Sequence, residues 1–276
     1  MRIAVAAVAV GSTFSGLALA RIKRLVQPGQ SLVEAITVGG TESAIAHTRL
    51  LSLLEGEPKP SALIGITIRP DAAVIAAFHA IGAPVVLIDE EAPGVSTVAS
   101  DNVAGGYLAG AHLVARGRTR FAVVLGHHNA AGDMNSIQRL KGFEQALAEK
   151  GLRLPPERVI RVPDYTRKDG VTAMTRLLDE HPGVDGVFCA AGDVCAAGLL
   201  AVARQRGVRI PQDVAIAGFD DNALASISDP PLTTIRQALE QIADTAYKLA
   251  TTETAAIFAA PRTITLTPKL VVRGST

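Results

Sequence analysis

Carboxylates, aromatics and arginines recur at one kind of position in this 276-residue chain: at the end of an apolar run, where the chain turns. Phe14 follows the first run, Arg69 follows LIGITI, and Asp89 and Glu90 close PVVLIDE. Asp193 comes after GVDGVFCA, and Phe219, Asp220 and Asp221 close DVAIAGFDD. Arg139 stands in the helical pattern SIQRLKGFEQAL. Together these groups have the chemistry of a polyol site. Carboxylates accept paired hydroxyl donors, arginine donates to ring and hydroxyl oxygens, and aromatic faces cover C–H surfaces.

The same residues carry little catalytic chemistry. The chain has no GxSxG elbow, no GxxxxGK[ST] phosphate loop, no HExxH and no GxGxxG after the first apolar run. His127, His128 and Asp133 could be grouped as metal ligands, but adjacent residues at a strand end point to opposite sides and no third ligand has a suitable spacing. A polar loop is expected there, with no metal and no cofactor. Asp220 and Asp221 could be an acid–base pair, although neighbouring aspartates at such a turn also serve as caps and turn formers. Taken alone, Arg139 is an ordinary solvated helix arginine. The expectation is a binding protein, not an enzyme.

The elements that must position these groups follow a repeating pattern: a short apolar run, a turn, then a helical period. PDAAVIAAFHAIG puts Val74, Ile75, Phe78 and Ile81 on one helix face, and SIQRLKGFEQAL puts Leu140, Phe143 and Leu147 on another. DNVAGGYLAGAHLVARG reads as a helix capped by Asp101 or Asn102 and stopped by Gly117, and Asp193 can cap DVCAAGLLAVARQ. This alternation defines an α/β fold of βαβ units with parallel sheets. In such sheets ligands sit beyond the carboxyl ends of the strands, which is where the polar set lies. Periodicity alone allows either one continuous sheet or two half-sized ones.

Composition narrows the class further. Hydrophobic residues make up 48% and aromatics 4%, which suits strands buried on both faces. The net charge of +1 gives no whole-chain case for nucleic acid or an anionic membrane. Cys189 and Cys195 read as small buried hydrophobes in a reducing compartment. No apolar stretch approaches the roughly 20 residues that span a bilayer. The opening MRIAVAAVAVGSTFSGLALA has the outline of a secretory leader, yet Ile3–Val10 also reads as the first strand of the fold.

Four stretches carry a resemblance: SDNVAGGYLAGAHLVARGRTRFAVVLG, SIQRLKGFEQAL, AGDVCAAGLLAVARQRGVRIPQDVAIAGFDD and DPPLTTIRQ. In this order and spacing they resemble the effector-binding core of the LacI/GalR family of bacterial transcription regulators. The resemblance is strongest over residues 97–240 and weakest over 20–60. It implies two Rossmann-like lobes with parallel sheets, of the periplasmic binding protein type I kind. The lobes are joined by three crossovers, with the ligand clamped between them. The N-terminal lobe would hold residues 1–100 and 236–258, and the C-terminal lobe 101–235 and 259–276. ASDN and TTIRQ would be crossover segments. Ile3–Val10 matches the family's first strand, which sets the leader reading aside.

On that template the ligand-binding residues are Phe14, Arg69, Asp89, Arg139, Tyr165, Phe219, Asp220 and Gln237. Gly192 stands where relatives commonly place an Asn or Ser that touches the ligand, so the site loses one polar group and gains space. The family's helix-turn-helix precedes this core and is absent from these residues. The resemblance therefore implies a cytoplasmic effector-binding and dimerisation core, which binds a sugar-like ligand and reaches operator DNA through a separate head. The alternative is the solute-binding protein of a sugar transporter.

Overall fold

A computed structural model describes residues 1–8, 13–26, 31–39, 44–126, 134–252 and 260–276. The chain forms two compact units: Met1–Ser100 with Ala238–Leu266, and Asp101–Gln237 with Thr267–Thr276. It passes between them three times.

The first unit is built on a six-stranded sheet. Its strands are β1 (Arg2–Ala7), β2 (Leu32–Thr37), β3 (Ala62–Ile66), β4 (Val85–Ile88), β5 (Ser96–Ser100) and β11 (Thr263–Leu266), in the order β11-β5-β4-β3-β1-β2. Every pairing in it is parallel. The apolar run with the outline of a leader is a central strand, all six residues of β1 being buried between β2 and β3. The described strand ends at Ala7; Ala9 and Val10 lie outside the described residues.

Helix α1 (Thr13–Leu25) buries Ser15, Ala18, Leu19 and Ile22, an i, i+3, i+4, i+7 face. Three of these side chains join Ile242, Ala243, Ala246 and Leu249 of α9 (Leu239–Thr251) over β1, β3 and β4. Arg21 clamps Asp244 across that contact, donating to both carboxylate oxygens at 2.6 and 2.8 Å. The other sheet face is covered by α2 (Ala44–Ser52) and α3 (Ala72–Ala80). Asp71 caps α3 by accepting from the Val74 amide. Val74, Ile75 and Phe78 are buried as the period requires, but Ile81 lies past the helix end and is 38% exposed.

The second unit repeats the strand order. Its strands are β6 (Phe121–Gly126), β7 (Val159–Val162), β8 (Gly186–Cys189), β9 (Ala215–Phe219), β10 (Thr233–Arg236) and β12 (Lys269–Val271), ordered β12-β10-β9-β8-β6-β7. Only the β10–β12 pairing is antiparallel. Helices α4 (Asn102–Ala115) and α5 (Met134–Ala148) cover one face; α6 (Arg167–Glu180) and α7 (Asp193–Gln205) cover the other, and the short α8 (Ala223–Ile227) follows β9. Phe121, Phe143, Phe188 and Phe219 form a continuous aromatic core under α4 and α5.

Backbone meets backbone where α4 crosses α5. A side chain at Gly106 would run into the Arg139 carbonyl, and one at Gly142 into the Val103 carbonyl. Asp101 caps α4 through the Ala104 amide, and Gly117, at φ +79°, ends it.

The borders of the units differ in detail from the sequence division, because strand pairing sets them. TTIR is not a free crossover but strand β10, paired with β9 and β12, so Arg236 and Gln237 stay with the second unit. Thr263–Leu266 pairs with β5, which extends the first unit past residue 258. No described helix is long and apolar enough to cross a membrane.

Candidate functional site

Backbone conformation picks out many of the same strand ends independently of side-chain chemistry. Among the described residues, the non-glycine residues with positive φ are Thr67 (52°), Asp89 (56°), Tyr165 (59°), Asp220 (101°) and Asp221 (54°). Thr67 directly follows β3, Asp89 follows β4, Asp220 and Asp221 follow β9, and Tyr165 lies just beyond β7. Left-handed backbone is costly for side-chain-bearing residues, most of all for β-branched Thr, and collects where function holds the chain in place. The carboxyl ends of parallel strands are also where open α/β sheets bind ligands.

In the first unit, Asp89 is 6% exposed and accepts at Oδ1 from the Ser100 amide at 3.0 Å. Thr67 runs alongside it, donating its amide to the Ile88 carbonyl. Thr67 is the residue here that sequence reasoning passes over, since nothing distinguishes it inside LIGITI. Arg69 is paired with Glu90 at 3.3 Å, so its charge is largely answered within the unit. Phe14, at the start of α1, is partly buried against the core of the unit.

The second unit holds a denser polar cluster. Arg139 is 8% exposed and held from three sides. Its Nε donates to Asn102 Oδ1 at 2.7 Å, its Nη1 donates to the Ala190 carbonyl at 2.9 Å, and its guanidinium lies 3.7 Å from the centre of the Phe219 ring. Phe219 itself is fully buried. The ring therefore serves as the platform for Arg139, a cation–π contact, and offers no bare face of its own. Gly105 makes room for it: a side chain there would meet Phe219 Cε2 at 2.8 Å.

Asp220 accepts at Oδ1 from Gln237 Nε2 at 2.8 Å. Burial raises its carboxyl above the ordinary range, and Arg139 and the Gln237 N–H pull it back in part. Gln237 is 6% exposed, and among the described residues its Oε1 has no hydrogen-bond partner. Tyr165 rests its ring on Gly126, where any side chain would collide with it.

Asp193 is not the cap of α7; Gly192 holds that position, without a side-chain bond. Asp193 is fully buried and ties three elements together. Thr234 Oγ1 donates to its Oδ1 at 2.6 Å, and the Asn222 amide donates to its Oδ2 at 3.0 Å. Burial raises its carboxyl well above the ordinary range, helped by the charge of Asp220.

Gly192 also differs from its expectation. At φ +91° and ψ 170° its backbone suits glycine, and a Cβ would lie 2.7 Å from Asp220 Oδ2. The space is filled by Asp220, not vacant. Asn102, at 1% exposure, holds Arg139 and donates to Asn135 Oδ1 at 3.0 Å; the sequence pattern marks it only as a possible cap.

His127, His128 and Asp133 lie outside the described residues. Among the described residues no group of three His, Cys, Asp or Glu side chains could hold a metal ion. Both cysteines are buried and free, and burial raises the Cys189 thiol.

These features define a class: two α/β units of like strand order, with carboxylates and an amide at the carboxyl ends of strands and a buried arginine on a neighbouring helix. The family profile of the periplasmic binding protein-like domain matches residues 111–276, and the chain belongs to that family. It is 33% identical over 195 residues to the HTH-type transcriptional regulator DegA of Bacillus subtilis strain 168, covering 70% of this chain and 56% of DegA. Among solved structures it is similar to the transcriptional regulator CelR–cellobiose complex, with 26% identity, a TM-score of 0.86, and coverage of 100% of this chain and 84% of the other. A protein of Sanguibacter keddieii DSM 10542 assigned to the LacI family of transcriptional regulators gives 27% identity and a TM-score of 0.83, covering 99% and 98%. The chain spans about half the length of the curated relatives it matches. These relatives are regulators, not enzymes.

Proposed function

We propose that this chain is the effector-binding core of a LacI-type transcription regulator and that its effector is a polyhydroxylated molecule, a sugar or a close analogue. The observation that carries this reading is the excess of acceptors among buried and half-buried polar groups. Asp89, Asp220 and the unpartnered Gln237 Oε1 accept, while Arg139 supplies the donors. A hydroxyl both donates and accepts, so a vicinal diol satisfies a carboxylate and an arginine together. Phe14, Arg69 and Tyr165 line the same site in this reading, and Phe219 acts through Arg139.

Asp89 belongs to one unit and Arg139, Asp220 and Gln237 to the other. The effector acts through its difference in affinity between two states of the chain. The regulator works in the cytoplasm as a homodimer, and a helix-turn-helix head outside this chain contacts the operator. A transporter's solute-binding protein is the weaker reading, because the relatives found are regulators.

The test is a thermal-shift screen of mono- and disaccharides, begun with cellobiose because a relative binds it. A ligand selective for the folded chain raises its melting temperature. A rise with a sugar, lost in Arg139→Ala and Asp220→Ala, is expected. A rise with nucleobases or carboxylates and none with sugars would overturn the sugar assignment.

A further inference from the structure

The three charges assigned to the ligand share a feature that their positions in sequence do not suggest. Each is hydrogen-bonded to a residue at a point where the chain passes from one unit to the other. The first crossing falls between Ser100 and Asp101, the second between Gln237 and Ala238. The Ser100 amide donates to Asp89, Arg139 Nε donates to Asn102 Oδ1, and Gln237 Nε2 donates to Asp220. Asp89 comes from the end of β4, Arg139 from α5 and Asp220 from the end of β9. Three unrelated elements thus direct their charged groups to two short segments.

We propose that Ser100, Asn102 and Gln237 are positioning residues that tie the ligand-reading charges to the crossings, so that occupancy of the site is felt where the units are joined. This rests on the assignment of Asp89, Arg139 and Asp220 as ligand groups. The side chains involved have little freedom to absorb a change. Asn102 is 1% exposed and holds Arg139 through Oδ1 and Asn135 through Nδ2, so a shift of the guanidinium moves the start of α4. Gln237 is 6% exposed, with one end of its amide on Asp220 and the other unpartnered. A ligand diol that donates one hydroxyl to Oε1 and the other to Asp220 fixes that amide and stiffens the second crossing. Buried polar groups of this kind switch between discrete arrangements, since a half-made bond in a low-dielectric site is costly.

Hydrogen exchange on the whole chain, without ligand, tests the ties directly. Arg139→Met should speed exchange about tenfold over residues 101–105 and leave 236–240 unchanged; Asp220→Ala, which removes the acceptor for Gln237, should do the reverse. Asp89→Ala should release the Ser100 amide. Asn102→Ala should reproduce the Arg139→Met pattern, and Asn102→Asp, which keeps the acceptor for Arg139, should restore the wild-type one. A general loss of stability would also speed β6 and β8, so acceleration confined to one crossing is the expected signature. Unchanged crossings, or an equal rise throughout, would overturn the proposal.

A second arm adds cellobiose as the probe. Binding accompanied by slower exchange at both crossings supports the ties, and binding that leaves both crossings as they were contradicts them. If cellobiose changes neither melting nor exchange, that result counts against the sugar assignment, while the ligand-free pattern still decides the ties.

Discussion

The two units share one strand order and differ in how they hold their polar groups. In the first unit, Asp89 is held by a backbone amide, Arg69 is matched by a neighbouring glutamate, and Phe14 shares its surface with the core. In the second, Arg139, Asn102, Asn135, Asp220, Gln237, Asp193, Thr234 and Asn222 are bound to one another and to the backbone, over a floor of four phenylalanines. A side chain whose rotamer is already fixed loses less entropy on binding, so the polar groups of the second unit are preorganised for a ligand. The contrast reaches the cores. Among the described residues of the first unit Phe78 is the one fully buried ring, amid mostly aliphatic side chains, whereas the aromatic stack of the second runs to Phe219 and supports Arg139.

The largest effect should come from disturbing the α4–α5 crossing. Gly106→Leu would drive a side chain into the Arg139 carbonyl, and no rotamer relieves a backbone clash. We expect a loss of at least about 3 kcal/mol in a urea titration, with the second unit melting first. Unchanged stability would mean that the crossing is looser than described.

Next come the charged groups. Arg139→Ala and Asp220→Ala should each weaken effector binding by roughly 10- to 150-fold, the worth of a hydrogen bond to a charged group. Asp89→Ala should cost less, within about tenfold, because its surroundings can adjust. Titration calorimetry of the three variants would rank them, and a larger loss from Asp89→Ala would reverse the contrast drawn between the units.

pH offers a third handle. Asp193 and Asp220 keep their protons to higher pH in the folded chain than in the unfolded one, chiefly through burial. Between the ordinary carboxylate range and their raised values the folded state binds more protons, so their contribution to stability falls as pH rises through that window. Effector affinity should move the opposite way, because ionised Asp220 is the better acceptor. Asp220→Asn should flatten the affinity trend and leave the Asp193 share of the stability trend, as seen in dissociation constant and melting temperature against pH. Parallel trends in the two quantities would exclude Asp220 as the linked group.

The smallest effect is expected at Arg69–Glu90, a partly exposed pair worth at most about 1 kcal/mol. Glu90→Gln should leave the melting temperature nearly unchanged, and a large drop would mark the first unit as more tightly organised than its hydrogen bonds indicate.

Much of the fold is legible in the sequence because β1, β3, β4, β6, β8 and β9 are buried along their whole length and so read as unbroken apolar runs. The edge strands leave no such trace: β2 and β11 alternate exposed and half-buried positions, and β12 is three residues long. TTIR reads as a crossover because two threonines do not look like a core. They are buried in β10 with their hydroxyls bound, Thr234 to Asp193 and Thr233 close to Thr276.

For the candidate site, strand ends name the charged groups, since topology alone puts them there. Their supports are not visible in the sequence. That Asn102 turns inward to Arg139, with Asp101 as the cap, depends on the rotation of α4 about its axis, which the close approach of α5 fixes. That Asp220 fills the space over Gly192 depends on positive φ at both residues, which the letters G and D do not report.

Asp89 and Asp220 are both proposed to hold the polyhydroxylated effector. Calorimetric titration of cellobiose into the wild-type chain, Asp89→Ala and Asp220→Ala tests this most directly. Saturable binding by the wild type and marked weakening in both variants is the predicted result; undiminished binding by the two variants would contradict it.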